Sequence, residues 1–219
     1  MDEFRRADWD LDLRAELYKE EFYTTKAWAN TRDRLVGPWE SSTTSELRQL
    51  RERKEQRLAH LGEIVSEQSG FVMIGRWYDW LEISPTSHPL TTELLHATIY
   101  LAGSVAGYFK DRFNRVRPWV LDPDLFPPIP SPGLPAYPGG HAAQMYLMAC
   151  TLCHLAPHKT DAIMMIATKV AVNRERAGLN YPSDTEAGLE LAKHIFKILT
   201  SECAEFTSML DTAQSVEWS

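Results

Sequence analysis

At 219 residues the chain fits one large domain better than two, and 44% hydrophobic with 24% charged residues is the composition of a globular protein with ample core material. A net charge of −7 excludes general binding of nucleic acid or of an anionic membrane surface, both of which need a broad basic field. No run reaches the ~18 apolar residues of a membrane span, the acidic start MDEFRRADWD lacks a secretory apolar stretch, and three cysteines make no disulfide framework.

In chain order, Leu13, Leu17, Phe22, Trp28 and Leu35 recur among charges up to Gly37-Pro38, predicting one amphipathic helix or two in succession. Ser42, Thr43 and Glu46 spell a capping box for a helix running on to Val65, with the charged RQLRERKEQR as its solvated face. Around Trp77 and Trp80 the rings are dense enough to suggest an apolar substrate pocket, although core packing explains such clusters equally simply. From Leu90 a largely apolar stretch predicts a central buried helix that ends in KDRFNRVRP. Prolines and glycines across 118–138 predict a long ordered loop. Helical patterns follow over about 141–155, 159–177 and 183–210, and residues 211–219 read as a frayed tail. Cys150 and Cys153 lie inside the first of these patterns and read as packed helical thiols rather than a redox pair. No stretch alternates with a strand period, so the expectation is an all-α, single-domain helical bundle spanning residues 1–219.

Chemistry concentrates in three blocks between Lys110 and Asp184. Lys110 and Arg117 are two helical turns apart, so both would project from one face if the helix persists. Gly139 and Gly140 open a turn before a helix, where free amides favour an anion, and His141 at that turn is placed to give a proton. Arg174 is followed by Asn180, a good N-cap residue, and by Asp184 near a helix start.

The three blocks together, Lys110-x6-Arg117-Pro118, Pro138-Gly139-Gly140-His141 and Asn173-Arg174-x5-Asn180-x3-Asp184, resemble the superfamily of type 2 phosphatidic acid phosphatases, bacterial class A acid phosphatases and vanadium haloperoxidases. The resemblance implies an all-helical bundle with Lys110, Arg117, Arg174 and the amides at Gly139 and Gly140 on phosphoryl oxygens. It makes His141 the general acid, and Asp184 the partner of a nucleophilic histidine. Asn180 stands in that histidine's place, and Gly139 and Asn173 replace serines. An amide nitrogen, with its lone pair delocalised, is neither a nucleophile nor a vanadate ligand, so haloperoxidase chemistry is disfavoured.

The resemblance therefore implies a phosphate- or diphosphate-ester-binding protein, read first as a phosphatase-type hydrolase. The alternatives are a noncovalent prenyl-diphosphate lyase or cyclase using Trp77 and Trp80, or an inactive His-to-Asn variant or plain anion binder. No cofactor or metal is expected; phosphate or vanadate fits as a bound anion, and Mg2+ is not called for by phosphatase-type chemistry. The expected partner is a small phosphate ester and not nucleic acid, the expected location cytoplasmic, and the oligomeric state stays open, a homodimer included.

Overall fold

The structure, a computed structural model, describes residues 9–68 and 70–218, and all regular elements among them are helical. They are α1 (Leu11–Thr24), α2 (Lys26–Thr31), α3 (Thr43–Glu55), α4 (Leu61–Ser66), α5 (Gly70–Leu81) and α6 (Pro89–Phe113), then α7 (Pro118–Leu121), α8 (Gly140–Leu155), α9 (Thr160–Arg176), α10 (Pro182–Glu202) and α11 (Ala204–Glu217). Among the described residues no helix is long and apolar enough to cross a membrane.

Helix α8 is the central post. Its sequence GHAAQMYLMACTLCHL is apolar nearly all round, which suits a helix surrounded by others, and α6, α9 and α10 pack against it. Met145, Leu147, Met148, Ala149 and Leu152 are all fully buried. Helix α6 runs antiparallel to α8, with Lys110 beside Gly140 at one end and Ile99 beside Gln144 further along. Its outer side carries α1 and α11.

Two glycines set the closest contact in the bundle. A Cβ on Gly188 would lie 2.7 Å from both the Ala142 Cβ and the Gly139 carbonyl oxygen. One on Gly139 would lie 2.8 Å from the Asp184 carbonyl oxygen, which instead accepts the Gly139 N–H at 2.8 Å. The start of α10 therefore lies directly on the start of α8, and Gly139 serves this helix contact rather than close approach to a ligand. The two catalytic candidates on either side, His141 and Asp184, are neighbours for that reason.

Several boundaries differ from the sequence expectation, each through tertiary contacts. Asn114, in the left-handed region at φ 46°, ends α6 at Phe113, so Lys110 and Arg117 do not share a helix face. The predicted helix from Ser42 to Val65 breaks into α3, a 3-10 turn over Arg57–His60 and α4. Ser42 makes no side-chain cap, because Glu46 is drawn into the interior. Cys203 divides the last predicted helix into α10 and α11. The loop of 118–138 holds α7 and one 3-10 turn, Pro123–Leu125. Cys150 and Cys153 are half-buried on α8, and burial pushes the Cys150 thiol up to about 11, so it is no reactive thiolate.

The predicted frayed tail is ordered over the described residues, Ser219 lying outside them. Helix α11 continues to Glu217, whose carboxylate accepts the backbone N–H of Leu90 at 2.7 Å and of Thr91 at 2.9 Å, while the Trp218 indole donates to the Thr91 hydroxyl. A carboxylate on the open amides at the start of α6 is a cap supplied from the far end of the chain. Glu217→Ala should cost about 1 kcal/mol, read as a lower urea midpoint with an unchanged m-value.

Candidate functional site

At the α8–α10 contact the chain buries an unusual number of charges. Asp184, fully buried, accepts from Arg115 Nη1 at 2.7 Å on Oδ1, and from the Tyr181 backbone N–H at 2.8 Å and Asn180 Nδ2 at 3.1 Å on Oδ2. Burial raises its pKa, against the downward pull of Arg115, the Tyr181 amide and Asn180. The N-cap of α10 is Tyr181, so Asn180 stands one residue outside the helix and is not the cap. Asp184, as the third helical residue, is the group that reaches back to the cap amide.

Arg115 carries the compensation. Its guanidinium also donates to Ser183 Oγ at 2.7 Å and Glu46 Oε2 at 2.6 Å, and lies 3.8 Å from the centroid of the Tyr181 ring and 4.5 Å from that of Trp39. Glu46 Oε1 in turn accepts the Ser183 N–H at 2.8 Å, adding negative charge at the α10 start. Neither Arg115 nor Glu46 was selected as a site residue from the sequence. Arg115 passed as one of several cations near a helix end and Glu46 as a capping residue; only the fold brings them together, from 69 residues apart.

The three predicted anion-binding cations are all buried, but their donors are used differently. Lys110 Nζ donates to the carbonyls of Pro135, Ala136 and Pro138 at 2.7, 2.9 and 2.7 Å, engaging all three ammonium hydrogens. Arg117 donates to the carbonyls of Leu134, Pro135 and Leu179, and to Asn180 Oδ1 at 3.3 Å. These two cations thus hold a strap, residues 134–138, whose Ala136 carbonyl also accepts from Asn180 Nδ2 at 3.0 Å. Arg174 differs: its Nε and Nη1 are buried with no hydrogen-bond partner among the described residues, and so is His141 Nε2. Leaving the two arginine donors buried and unpaired is costly, so they mark where an acceptor belongs, while Nε2 of the neutral imidazole presents a lone pair to the same space.

The electrostatics point the same way. Burial, then Arg117, push Lys110 down to about 7, and burial followed by Arg117 brings Arg174 to about 10. His141 is pushed to about 3 by burial and by Arg174 and Arg117, against hydrogen bonds with the backbone at Glu67 and Gln68. The cations add to the effect of burial because they face a common space. With Lys110 protonated, four cations, Lys110, Arg115, Arg117 and Arg174, stand against two carboxylates, Glu46 and Asp184. The excess of two positive charges suits a doubly charged anion. Gly140 and His141 open α8, whose first amides lack helical acceptors, and add directed donors to the same space.

Trp77 and Trp80 do not join this site or form a pocket together. Trp77 is fully buried in the main core, whereas Trp80 is 41% exposed beside a surface groove between α5 and α9. They lie three apart on α5 and point to different surroundings, which removes the aromatic lining that a prenyl-diphosphate reading needs.

Removing Arg115 should be among the most damaging single changes. Arg115→Met leaves Asp184 and Glu46 buried without their cation, at a cost of about 3–5 kcal/mol. Arg112→Met, which breaks only an exposed pair with Asp33, should stay within about 1 kcal/mol of wild type in the same urea titration.

A family model described as the PAP2 superfamily matches residues 93–201. Among solved structures, the chain is similar to a transmembrane PAP2-type phosphatidylglycerolphosphate phosphatase from Bacillus subtilis, at 15% identity and a TM-score of 0.42, covering 89% of this chain and 94% of that one. No curated protein matches the chain.

Proposed function

This chain belongs to the PAP2 superfamily, its match spanning residues 93–201, and from that premise we propose that it binds a phosphate monoester dianion and hydrolyses it without a covalent intermediate. The observation that carries the reading is the pair of buried, unpartnered donors Arg174 Nε and Nη1, with the unpartnered His141 Nε2 near them, beside the opening of α8. A phosphoryl group satisfies them together: two arginine donors match two of its oxygens, and the helix amides take a third.

In this reading Arg174 and the Gly140 end of α8 are the principal anion ligands. Lys110 and Arg117 supply field, since their donors are spent on the strap carbonyls. Their charges still meet the negative charge that develops on the equatorial oxygens. The Gly139 amide is engaged by Asp184 and is left out of the ligand set. His141 Nε2 faces the leaving oxygen. Burial, Arg174 and Arg117 keep that imidazole neutral at pH 7, and an incoming dianion offsets the cations' field, raising its pKa so that it carries a proton.

Asn180 decides the mechanism. Its Nδ2 makes the hydrogen bond to Asp184 that an imidazole N–H would make from the same place, and its Oδ1 accepts from Arg117. It keeps the frame and lacks the nucleophile. Water is then the attacking group: its oxygen bonds to phosphorus, the ester P–O bond breaks, His141 protonates the departing alkoxide, and the proton shed by water returns charge balance by reprotonating His141. The products are an alcohol and hydrogen phosphate. Histidine at 180 should convert this into the two-step route. Asn180→His is expected to yield an acid-labile phosphohistidine on brief exposure to radiolabelled monoester, with wild type giving none; label on both proteins, or on neither, overturns this account of Asn180.

Binding can be tested apart from turnover. Inorganic phosphate at a hundredfold over its Kd should stabilise the protein by about 2.7 kcal/mol, and Arg174→Ala should abolish that gain while leaving the phosphate-free melting curve near wild type. Because burial, then Arg117, push Lys110 down to about 7, an anion that raises its pKa takes up protons at pH 8. Affinity should therefore weaken as pH rises from 7 to 9, and binding heats at pH 8 should vary with buffer ionisation enthalpy in the sense of proton uptake.

A further inference from the structure

A cavity of about 490 Å3 lies between α1, α5, α6 and α8, lined by Ile74, Ile99, Tyr100, Gly103 and Gln144, with Glu16 and Lys19 at its rim. Its volume falls in the range of sites for drug-sized molecules. It belongs to none of the three sequence blocks that mark the anion site, yet it abuts that site along two helices. On α8, Gln144 follows His141 by one turn. On α6, Gly103, Gly107 and Lys110 recur at spacings of four and three, which sets them on one face, Gly103 about 10 Å along the axis from Lys110.

The space between is kept clear by absent side chains. A Cβ on Gly107 would meet nothing within 4 Å, so the α6 surface between the cavity and Lys110 is open. A Cβ on Gly103 would come to 3.1 Å from Gln144 Nε2, which is tied to the Ile99 carbonyl at 3.2 Å. Glycine at 103 thus leaves room for the Gln144 amide to lie across α6 and form one wall of the cavity.

We propose that this cavity receives the alcohol part of the ester, and that it selects a neutral, compact apolar or aromatic group, with Gly103 and Gly107 as the specificity-determining positions. Three features carry the choice of class. Ile74, Ile99 and Tyr100 give apolar walls and a ring face. The rim charges Glu16 and Lys19 pair with each other and Asp12 is hydrogen-bonded to Tyr100, so the mouth of the cavity leans negative and disfavours a second phosphate or a carboxylate. And the anion site next to it already accounts for the charge of the ester. The inference rests on the phosphate-ester reading above.

Hydrolysis-resistant phosphonates separate the two ideas on the intact chain. Calorimetric Kd values would be measured for inorganic phosphate, methylphosphonate, phenylphosphonate and 2-naphthylphosphonate, and for 2-naphthol without any phosphorus. Affinity should rise at least about tenfold from methyl to naphthyl, the scale expected for burying one ring system. Gly103→Leu should remove that rise and the binding of 2-naphthol while leaving inorganic phosphate unchanged. Gly107→Leu, placed where a side chain meets nothing and where leucine favours the helix, should fold as well as wild type and flatten the series again. A flat series in wild type with phosphate still bound overturns the cavity assignment alone. Binding of 2-naphthol, lost in Gly103→Leu, without any binding of phosphate overturns the anion reading and leaves the cavity standing. Absence of both overturns both.

Discussion

The contact on which the rest of the site depends is the buried pair of Arg115 and Asp184. A carboxylate with no solvent exposure in the middle of a helical bundle survives only with a cation and a full set of donors, and Asp184 has Arg115, Asn180 and the Tyr181 amide. The arrangement is not a local one. Arg115 leaves the end of α6, Glu46 comes from α3, and Asp184 opens α10, so satisfying one charge fixes three elements against one another. The glycines at 139 and 188 let α10 come close enough to α8 for this to happen beside the helix start that carries His141.

Around that pair the cations divide their work. Lys110 and Arg117 turn the carbonyls of the 134–138 strap inward and so convert a proline-rich loop into a fixed wall. Their positive charge remains in the site although their hydrogens are committed, a distinction that residue identity alone does not reveal. Arg174 keeps two donors uncommitted at a buried position. Those uncommitted donors, and an imidazole that burial and its cationic neighbours hold neutral, leave a positive field at this end of α8.

Asn180 ties this frame together through its side-chain amide. One amide nitrogen bridges the Asp184 carboxylate and the Ala136 carbonyl, and the amide oxygen receives Arg117. Three elements of the site would lose a shared partner if residue 180 were merely apolar. The four-residue spacing to Asp184 thus serves hydrogen bonding that an amide can supply, whereas nucleophilic chemistry is what it cannot.

The order of residues was enough to specify the helical class, the buried helix that starts near Leu90, the proline-rich loop, and the three motif blocks between Lys110 and Asp184, because helical periodicity and short motifs are local properties of the chain. It misplaced features whose cause lies across the fold. Asn114 ends α6 early, Glu46 abandons its own helix cap for Arg115, Glu217 orders a tail that reads as frayed, and Trp77 turns to the core while Trp80 faces outward. Nor did spacing distinguish the cations, since Lys110, Arg117 and Arg174 look alike until their acceptors are known. Which donors are spent and which are free is decided by long-range packing, and that is why the motif residues were legible in the sequence while their division of labour, and the cavity beside them, belong to the tertiary structure alone.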